Sequence, residues 1–317
     1  MNKSLCLLLP LLTVAILLGG LVACGGDDDV VIPGSPDIVR NGPNVNQNTT
    51  GPVEARTRYE FPRLKGGQSD VIVHRSVLSS DASVTGVNYS LEWDHSLKAT
   101  RWVCYEVYNT VRATSWNRNR WPNGDPWAYD PNVPQSEQQA TYNELSGSRP
   151  PLPNSTYYQK GHIVASADRL CSQEANGQTF YMTNIYPMVP DFNEQIWSAM
   201  ESRVRTWGNQ ADTMYVCKGG TIDSEQNILS RTNGGHIAPR YFFMTLLSKK
   251  GTALKAMAFW IEHKDGTSWG KLKDYAVNID RLEELTGIDF FCNLSDQVEI
   301  AVESVSRQQM LSDWGLN

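Results

Sequence analysis

Histidine is scarce in this chain, five in 317 residues. One of them, His162, follows a Lys-Gly pair in Tyr157-Tyr158-Gln159-Lys160-Gly161-His162, a stretch with no clean helical or strand period. Such a segment reads as a turn that presents an imidazole to solvent. An imidazole titrates near neutral pH and can take a proton from water without being permanently charged, so a histidine placed this way suits a general base. His74, His95, His236 and His263 lack such a setting and are expected to pack or to lie on the surface.

A second group lies thirty residues on. From Pro190 to Trp207 the apolar residues Phe192, Ile196, Trp197, Met200, Val204 and Trp207 recur at helical spacing. Asn193, Trp197, Glu201 and Arg205 fall four residues apart on that helix, so the set drifts only about 40° per step around one side. A tryptophan between an asparagine and a glutamate marks a stripe that faces protein or a cleft rather than bulk water. Phe180 to Ile185 (Phe-Tyr-Met-Thr-Asn-Ile) reads as a strand running beside the Gln-Lys-Gly-His segment.

The order of histidine segment, strand, and helix with Asn and Glu resembles the DNA/RNA non-specific endonuclease family, whose members carry a ββα-metal finger. The family's Asp-Arg-Gly-His is matched by Gln159-Lys160-Gly161-His162, its Ser-Asn-Ile strand by Thr183-Asn184-Ile185, and its metal-site helix by Asn193 with Trp197, Glu201 and Arg205. Asn88-Tyr89-Ser90, Arg101-Trp102-Val103, Tyr215 to Gly219 and Asp280 to Phe291 are similar to further family segments. Two departures stand out. Gln159 and Lys160 replace Asp and Arg, so a bidentate guanidinium grip becomes a single ammonium. Met244 also stands where many relatives have a basic residue.

The resemblance implies a set of roles. His162 is the general base for an attacking water. Asn193 holds one magnesium ion, with manganese as a substitute, because magnesium keeps several waters and needs few protein ligands. Glu201, about 12 Å along the axis from Asn193 but leaning back toward it, reaches a water on the ion that can protonate the leaving 3′ oxygen. An arginine from the preceding loop contacts the scissile phosphate; Arg118 and Arg120 are the candidates, Arg120 preferred. Lys160 and Arg205 add positive charge, and Asn184 ties strand to helix.

These side chains need a frame. Runs rich in β-branched and aromatic residues at Val71 to His74, Tyr89 to Trp93, Trp102 to Tyr108, Met214 to Cys217, Tyr241 to Leu247 and Leu254 to Ile261 read as strands. Residues 109 to 157 are polar and rich in Pro and Gly and read as a long loop. A helix is expected from Ile279 to Leu285, with Asp280 and Glu283 as a capping box and Gly287 as its stop, and another after Ser295. The expected fold is α+β: a mainly antiparallel central β-sheet flanked by helices, with the finger as active site.

The chain is 40% apolar and 20% charged, which fits a globular protein. Its formal net charge is −6. An acidic chain is a poor passive binder of phosphate backbones, so DNA and RNA substrates require a local basic site. The first residues combine Lys3 with an apolar run from Leu5 to Leu18 and then Leu21-Val22-Ala23-Cys24, similar to a lipoprotein cleavage motif. Three segments are expected: a signal over 1–23, a lipidated Cys24 with a disordered tether over 24–57, and one catalytic domain over 58–317. The acidic run after Cys24 resembles surface-export signals, which implies an exported lipoprotein at the outer membrane or cell surface, its lipid in the bilayer.

Cys104, Cys171, Cys217 and Cys292 allow two disulfides in any of three pairings. No cysteine or histidine spacing suits zinc. Two other functions fit the composition: glycan capture on some of the ten tryptophans and thirteen tyrosines, or a nuclease fold weakened at Gln159 and Lys160.

Overall fold

The computed structural model describes residues 29–34, 38–145, 158–266 and 268–317. The expected signal and Cys24 lie outside the described residues. In chain order the elements are β1 (Val30–Val31), β2 (Ile38–Val39), α1 (Val53–Arg56), β3 (Ser69–Val77), β4 (Thr85–Asp94), β5 (Ala99–Tyr108), α2 (Gln135–Glu144), β6 (Gln159–His162), α3 (Gln173–Gln178), β7 (Ile185–Met188), a π-helix (Phe192–Trp197), α4 (Ser198–Gly208), β8 (Thr213–Gly220), β9 (Ile228–Arg231), β10 (Ile237–Pro239), β11 (Tyr241–Lys250), β12 (Ala253–Glu262), β13 (Ala276–Val277), α5 (Ile279–Thr286), α6 (Asp296–Glu303) and α7 (Arg307–Asp313).

The main sheet runs β2-β1-β12-β11-β8-β5-β4-β3, with β13 on the side of β12. Every pairing in it is antiparallel except β1 with β12. The fold class is therefore α+β, as the strand runs imply. Side chains alternate between two cores. Val103, Tyr105, Val107, Met214 and Val216 pack on one face with Trp197, Met200 and Val204 of the π-helix and α4. Trp102, Cys104, Tyr215 and Cys217 pack on the other with Ile279 and Leu282 of α5 and Val298 and Val302 of α6. The finger thus rides on one face and the C-terminal helices on the other.

Four expectations need correction. Residues 30 to 57 are not a bare tether: Ile32 and Ala55 are buried. The carboxamides there do what apolar area cannot, because Asn44 donates to the Cys292 and Leu294 carbonyls and Asn48 to the Pro62 carbonyl. The four cysteines are free and buried. Cys104 and Cys217 stand opposite each other on β5 and β8, whereas Cys171 and Cys292 lie in separate parts of the molecule, one under Leu78 and the other on the Phe61 carbonyl. The α5 cap is Asn278, whose side chain accepts from the Arg281 N–H at 3.1 Å; Gly287 at φ 70° ends the helix as expected. The long loop contains α2, whose polar sequence hides it. Gln138, fully buried, fastens it to the Asp130 and Val133 carbonyls at 3.0 and 2.8 Å.

Candidate active site

The histidine segment is a strand, not a turn. β6 pairs antiparallel with β7, Gly161 opposite Tyr186 and His162 opposite Ile185. The strand expected over Phe180 to Ile185 gives way to a 3-10 turn over Met182–Asn184, and the pairing strand begins only at Ile185. Gly161 is required by close packing: a Cβ there would lie 2.3 Å from Met188 Cγ. Asn184 joins the pieces. Its Oδ1 accepts from the Val164 N–H, and its Nδ2 donates to the Val164 and Thr179 carbonyls, all within 2.7 to 3.0 Å. Asn184 thus ties the segment after β6 to the turn before β7, and its bonds do not reach the helix that follows.

The helix after Pro190 opens as a π-helix over Phe192–Trp197 and continues as α4. The even α-helical stripe expected for Asn193, Trp197, Glu201 and Arg205 is thus broken at its first interval. Trp197 is 1% exposed and donates its indole N–H to the His162 carbonyl at 3.0 Å. Helix and histidine strand are therefore bolted together, and π-turns of this kind recur at functional sites.

His162 does not stand open in solvent. Its ring packs 5.1 Å from both Trp127 and Phe180. Its Nε2 is sealed and has no hydrogen-bond partner. Burial above all, then the Arg118 guanidinium, push its pKa down to about 3 against a weaker opposing pull from Asp125, and Lys218 adds to the depression. This environment favours the neutral imidazole, in a ring that is half-buried at the cleft wall.

Asn193 is oriented by the residue that replaces the family's aspartate. Asn193 Nδ2 donates to Gln159 Oε1 at 2.7 Å, while Gln159 Nε2 donates to Glu194 Oε1 at 2.6 Å. With its NH₂ committed, the Asn193 amide keeps Oδ1 as its acceptor, a hard neutral oxygen of the kind a divalent ion takes. Glu201 stands two turns on, its Oε1 buried and without a hydrogen bond. The donor set, one amide oxygen and one carboxylate lining the same cleft, fits a magnesium-class ion.

Behind Glu201 lies a charge cluster that motif reading missed. Lys218, fully buried on β8, sits 3.7 Å from both Glu201 Oε1 and Asp168 Oδ2. Asp168 also takes Arg205 Nη1 at 2.9 Å and the Tyr105 hydroxyl at 2.6 Å. Burial would raise the Asp168 carboxyl, but Lys218, Arg205 and Tyr105 hold it below its ordinary value. Glu201 goes the other way: burial lifts it to about 7, with Asp168 adding and Lys218 and Arg205 opposing. Arg205, expected to face phosphate, thus has its guanidinium largely engaged by Asp168. The one sequence signal for Lys218 was parity, since it continues the Met214, Val216 face of β8 into the finger core.

His162, Gln159, Asn193, Glu201 and Arg205 line one cleft of about 1100 Å³, with Lys218 and Asp168 behind its wall. Arg118, Arg120, Lys160 and Arg205 line it together with Glu194 and Glu201, in a protein that is acidic as a whole, and Asp125 and Asp168 pair with Arg118 and Arg205. The two loop arginines differ in freedom. Arg118 is gripped by Asp125 at 2.7 and 2.5 Å, whereas Arg120 rests 4.7 Å from the Trp116 ring centroid with no carboxylate partner among the described residues. Lys160 donates to the Leu145 carbonyl and lies 5.6 Å from the Trp127 ring.

The other histidines pack, as expected. His74 meets Asp130 at 2.9 Å, His236 meets Thr141 at 3.0 Å, His263 accepts from the Val189 N–H at 2.8 Å, and His95 is held by Glu137 and Asp70. Trp93, Trp102, Trp197, Trp207 and Trp314 are buried, so the aromatic platform that glycan capture needs loses half its tryptophans to the core.

The profile of the DNA/RNA non-specific endonuclease family matches residues 69–297. A nuclease of Nostoc sp. is 28% identical over 229 residues, 68% of this chain and 75% of its own. The nuclease of Serratia marcescens is 22% identical over 71% of this chain and 81% of its own. Mitochondrial endonuclease G of Bos taurus is 27% identical over 43% of this chain and 49% of its own. One chain in the crystal structure of an EndoG/EndoGI complex superposes on 65% of this chain and 84% of its own, with a TM-score of 0.53 at 17% identity, a likeness of fold. The chain belongs to the DNA/RNA non-specific endonuclease family.

Proposed function

We propose that the protein is a metal-dependent endonuclease that hydrolyses phosphodiester bonds of DNA and RNA with little sequence preference. One observation carries the reading: His162, Asn193 and Glu201 converge with four cationic side chains in a single cleft of an acidic protein. The ion, magnesium or in its place manganese, would be held through Asn193 Oδ1 and would supply positive charge against the phosphate as negative charge builds on it.

This chain's residues do the rest. Arg120, lying on Trp116 with no carboxylate partner among the described residues, meets the scissile phosphate; Lys160 adds charge from β6, Arg118 through its Asp125 pair, and Arg205 from α4. His162 takes a proton from the attacking water. Because Nε2 is sealed, that exchange falls to Nδ1. A phosphodiester anion in the cleft stabilises the resulting imidazolium and offsets the depression caused by Arg118. Glu201, poised near neutrality by Lys218, accepts hydrogen bonds from cleft water, and Gln159 keeps the Asn193 amide from flipping. The 3′ oxygen departs with a proton taken from cleft water, and the proton held by His162 returns to solvent, so that the products are a 5′-phosphate and a 3′-hydroxyl.

The test uses the chain from Asp29, because Ile32, Asn44, Asn48 and Ala55 pack on or bond to the domain. With Mg²⁺ it should nick supercoiled plasmid and degrade structured RNA, yielding 5′-phosphate ends, and chelation should stop both. Turnover of neither polymer would defeat the proposal, as would 3′-phosphate ends. We also propose, from Leu21 to Cys24, acylation of Cys24 and residence at the outer membrane or cell surface. Metabolic labelling with a fatty acid should mark the wild type and not Cys24→Ala; equal labelling would refute it.

A further inference from the structure

On the sheet face away from the cleft, α5 and α6 bring three carboxylates together. Asp280 and Glu283 lie one turn apart on α5, and Glu303 ends α6. One ligand oxygen from each lies within 4.8 Å of the others. An acidic rim alone would be unremarkable on a protein with this charge. Glu303 is different: it is 6% exposed, and its Oε1 is sealed from solvent with no hydrogen-bond partner. A buried carboxylate left unpaired is costly unless it is neutralised or bound to a metal.

The surroundings deepen the deficit. The charged groups that act most strongly on Glu303 are Glu283, Glu299, Asp289 and Asp280, every one acidic. Two neighbours have partial relief, since Asn46 donates to Glu299 at 3.0 Å and to Asp289 at 3.5 Å. Arg63 bears on Asp289 and Glu299 too, and its guanidinium bonds the Asn46 carbonyl. Glu283 receives the Phe290 N–H at 2.7 Å, which fixes its rotamer against α5. No cation faces Glu303 itself among these groups.

We propose that Asp280, Glu283 and Glu303 bind a divalent cation of the calcium class, a site separate from the cleft. Three carboxylates at graded burial suit calcium, which takes six to eight oxygens in flexible geometry, better than magnesium, which demands an octahedron and keeps most of its water. Exposed Asp280 leaves room for water to complete the shell. The ion would clamp α6 onto α5 and so brace the core behind β12.

The test is thermal melting and calorimetry of the chelated protein titrated with Ca²⁺ alone. At about a hundred times its dissociation constant, Ca²⁺ should raise Tm by roughly 5–10 °C. Glu303→Gln, close in shape, should fold, keep nuclease activity and lose the calcium response. Asn193→Ala should keep the response, because the proposed ion does not sit in the cleft. A wild type indifferent to Ca²⁺ would overturn the proposal. So would a response retained in Glu303→Gln, or one lost in Asn193→Ala.

Discussion

Lys218→Met probes the cluster behind Glu201. The ammonium lies 3.7 Å from Glu201 Oε1 and equally far from Asp168 Oδ2, fully buried. At an effective dielectric near 20, one charge pair at that distance is worth about 4 kcal/mol. Since a pKa unit corresponds to about 1.4 kcal/mol, the ceiling on the shift of Glu201 is about 3 units. Arg205 still acts on both carboxylates in the variant, so the expected rise is about 1–2 units above a starting value near 7. The direction follows from sign: Lys218 favours the ionised carboxylate, and its loss favours the protonated one. The acid limb of kcat/KM for plasmid nicking should therefore move to higher pH. Removing one partner of a buried pair should also destabilise the fold by about 3 kcal/mol, read from denaturant midpoints. An acid limb that stays in place while the protein remains folded would refute the idea that Lys218 sets the charge of Glu201.

Gln159→Leu removes the acceptor that orients Asn193 while keeping most of the side-chain volume. The metal concentration for half-maximal activity should rise about 10–100-fold, with much of the rate restored at saturating ion; an unchanged metal requirement would mean that Gln159 only fills space. The His162 ring signals in NMR should show no titration between pH 5 and 8, since burial and Arg118 hold its pKa down to about 3. A midpoint near the ordinary 6.5 would place the ring in solvent after all.

Much of the frame was legible because its strands carry a strong physical signal. The β5, β8, β11 and β12 runs are central and apolar on both faces, so composition alone marks them. The finger was legible for another reason: His162, Asn193 and Glu201 are fixed by chemistry, and chemistry constrains residue type more tightly than packing does. What escaped was set by tertiary contact. The π-helix over Phe192–Trp197 has no local code, and Trp197 reaching the His162 carbonyl holds its register. Gln159 looked like a defect in a motif, yet it hydrogen-bonds the residue that the motif exists to position. Lys218 was invisible because a lysine in a strand is read as solvent-facing; only the parity of Met214 and Val216 turned it inward. α2 carries almost no apolar stripe and depends on one buried glutamine. The cysteines were misjudged because pairing was inferred from number, whereas geometry placed two of the four in separate parts of the molecule.

The central claim is that His162 moves the proton in phosphodiester hydrolysis. It is tested most directly by comparing single-turnover cleavage of DNA and of RNA by wild type and His162→Ala, each shown to be folded and saturated with Mg²⁺. A loss of about 10²–10⁴ in rate on both polymers, with substrate binding retained, is the predicted result. A variant that cleaves either polymer at the wild-type rate would contradict the account.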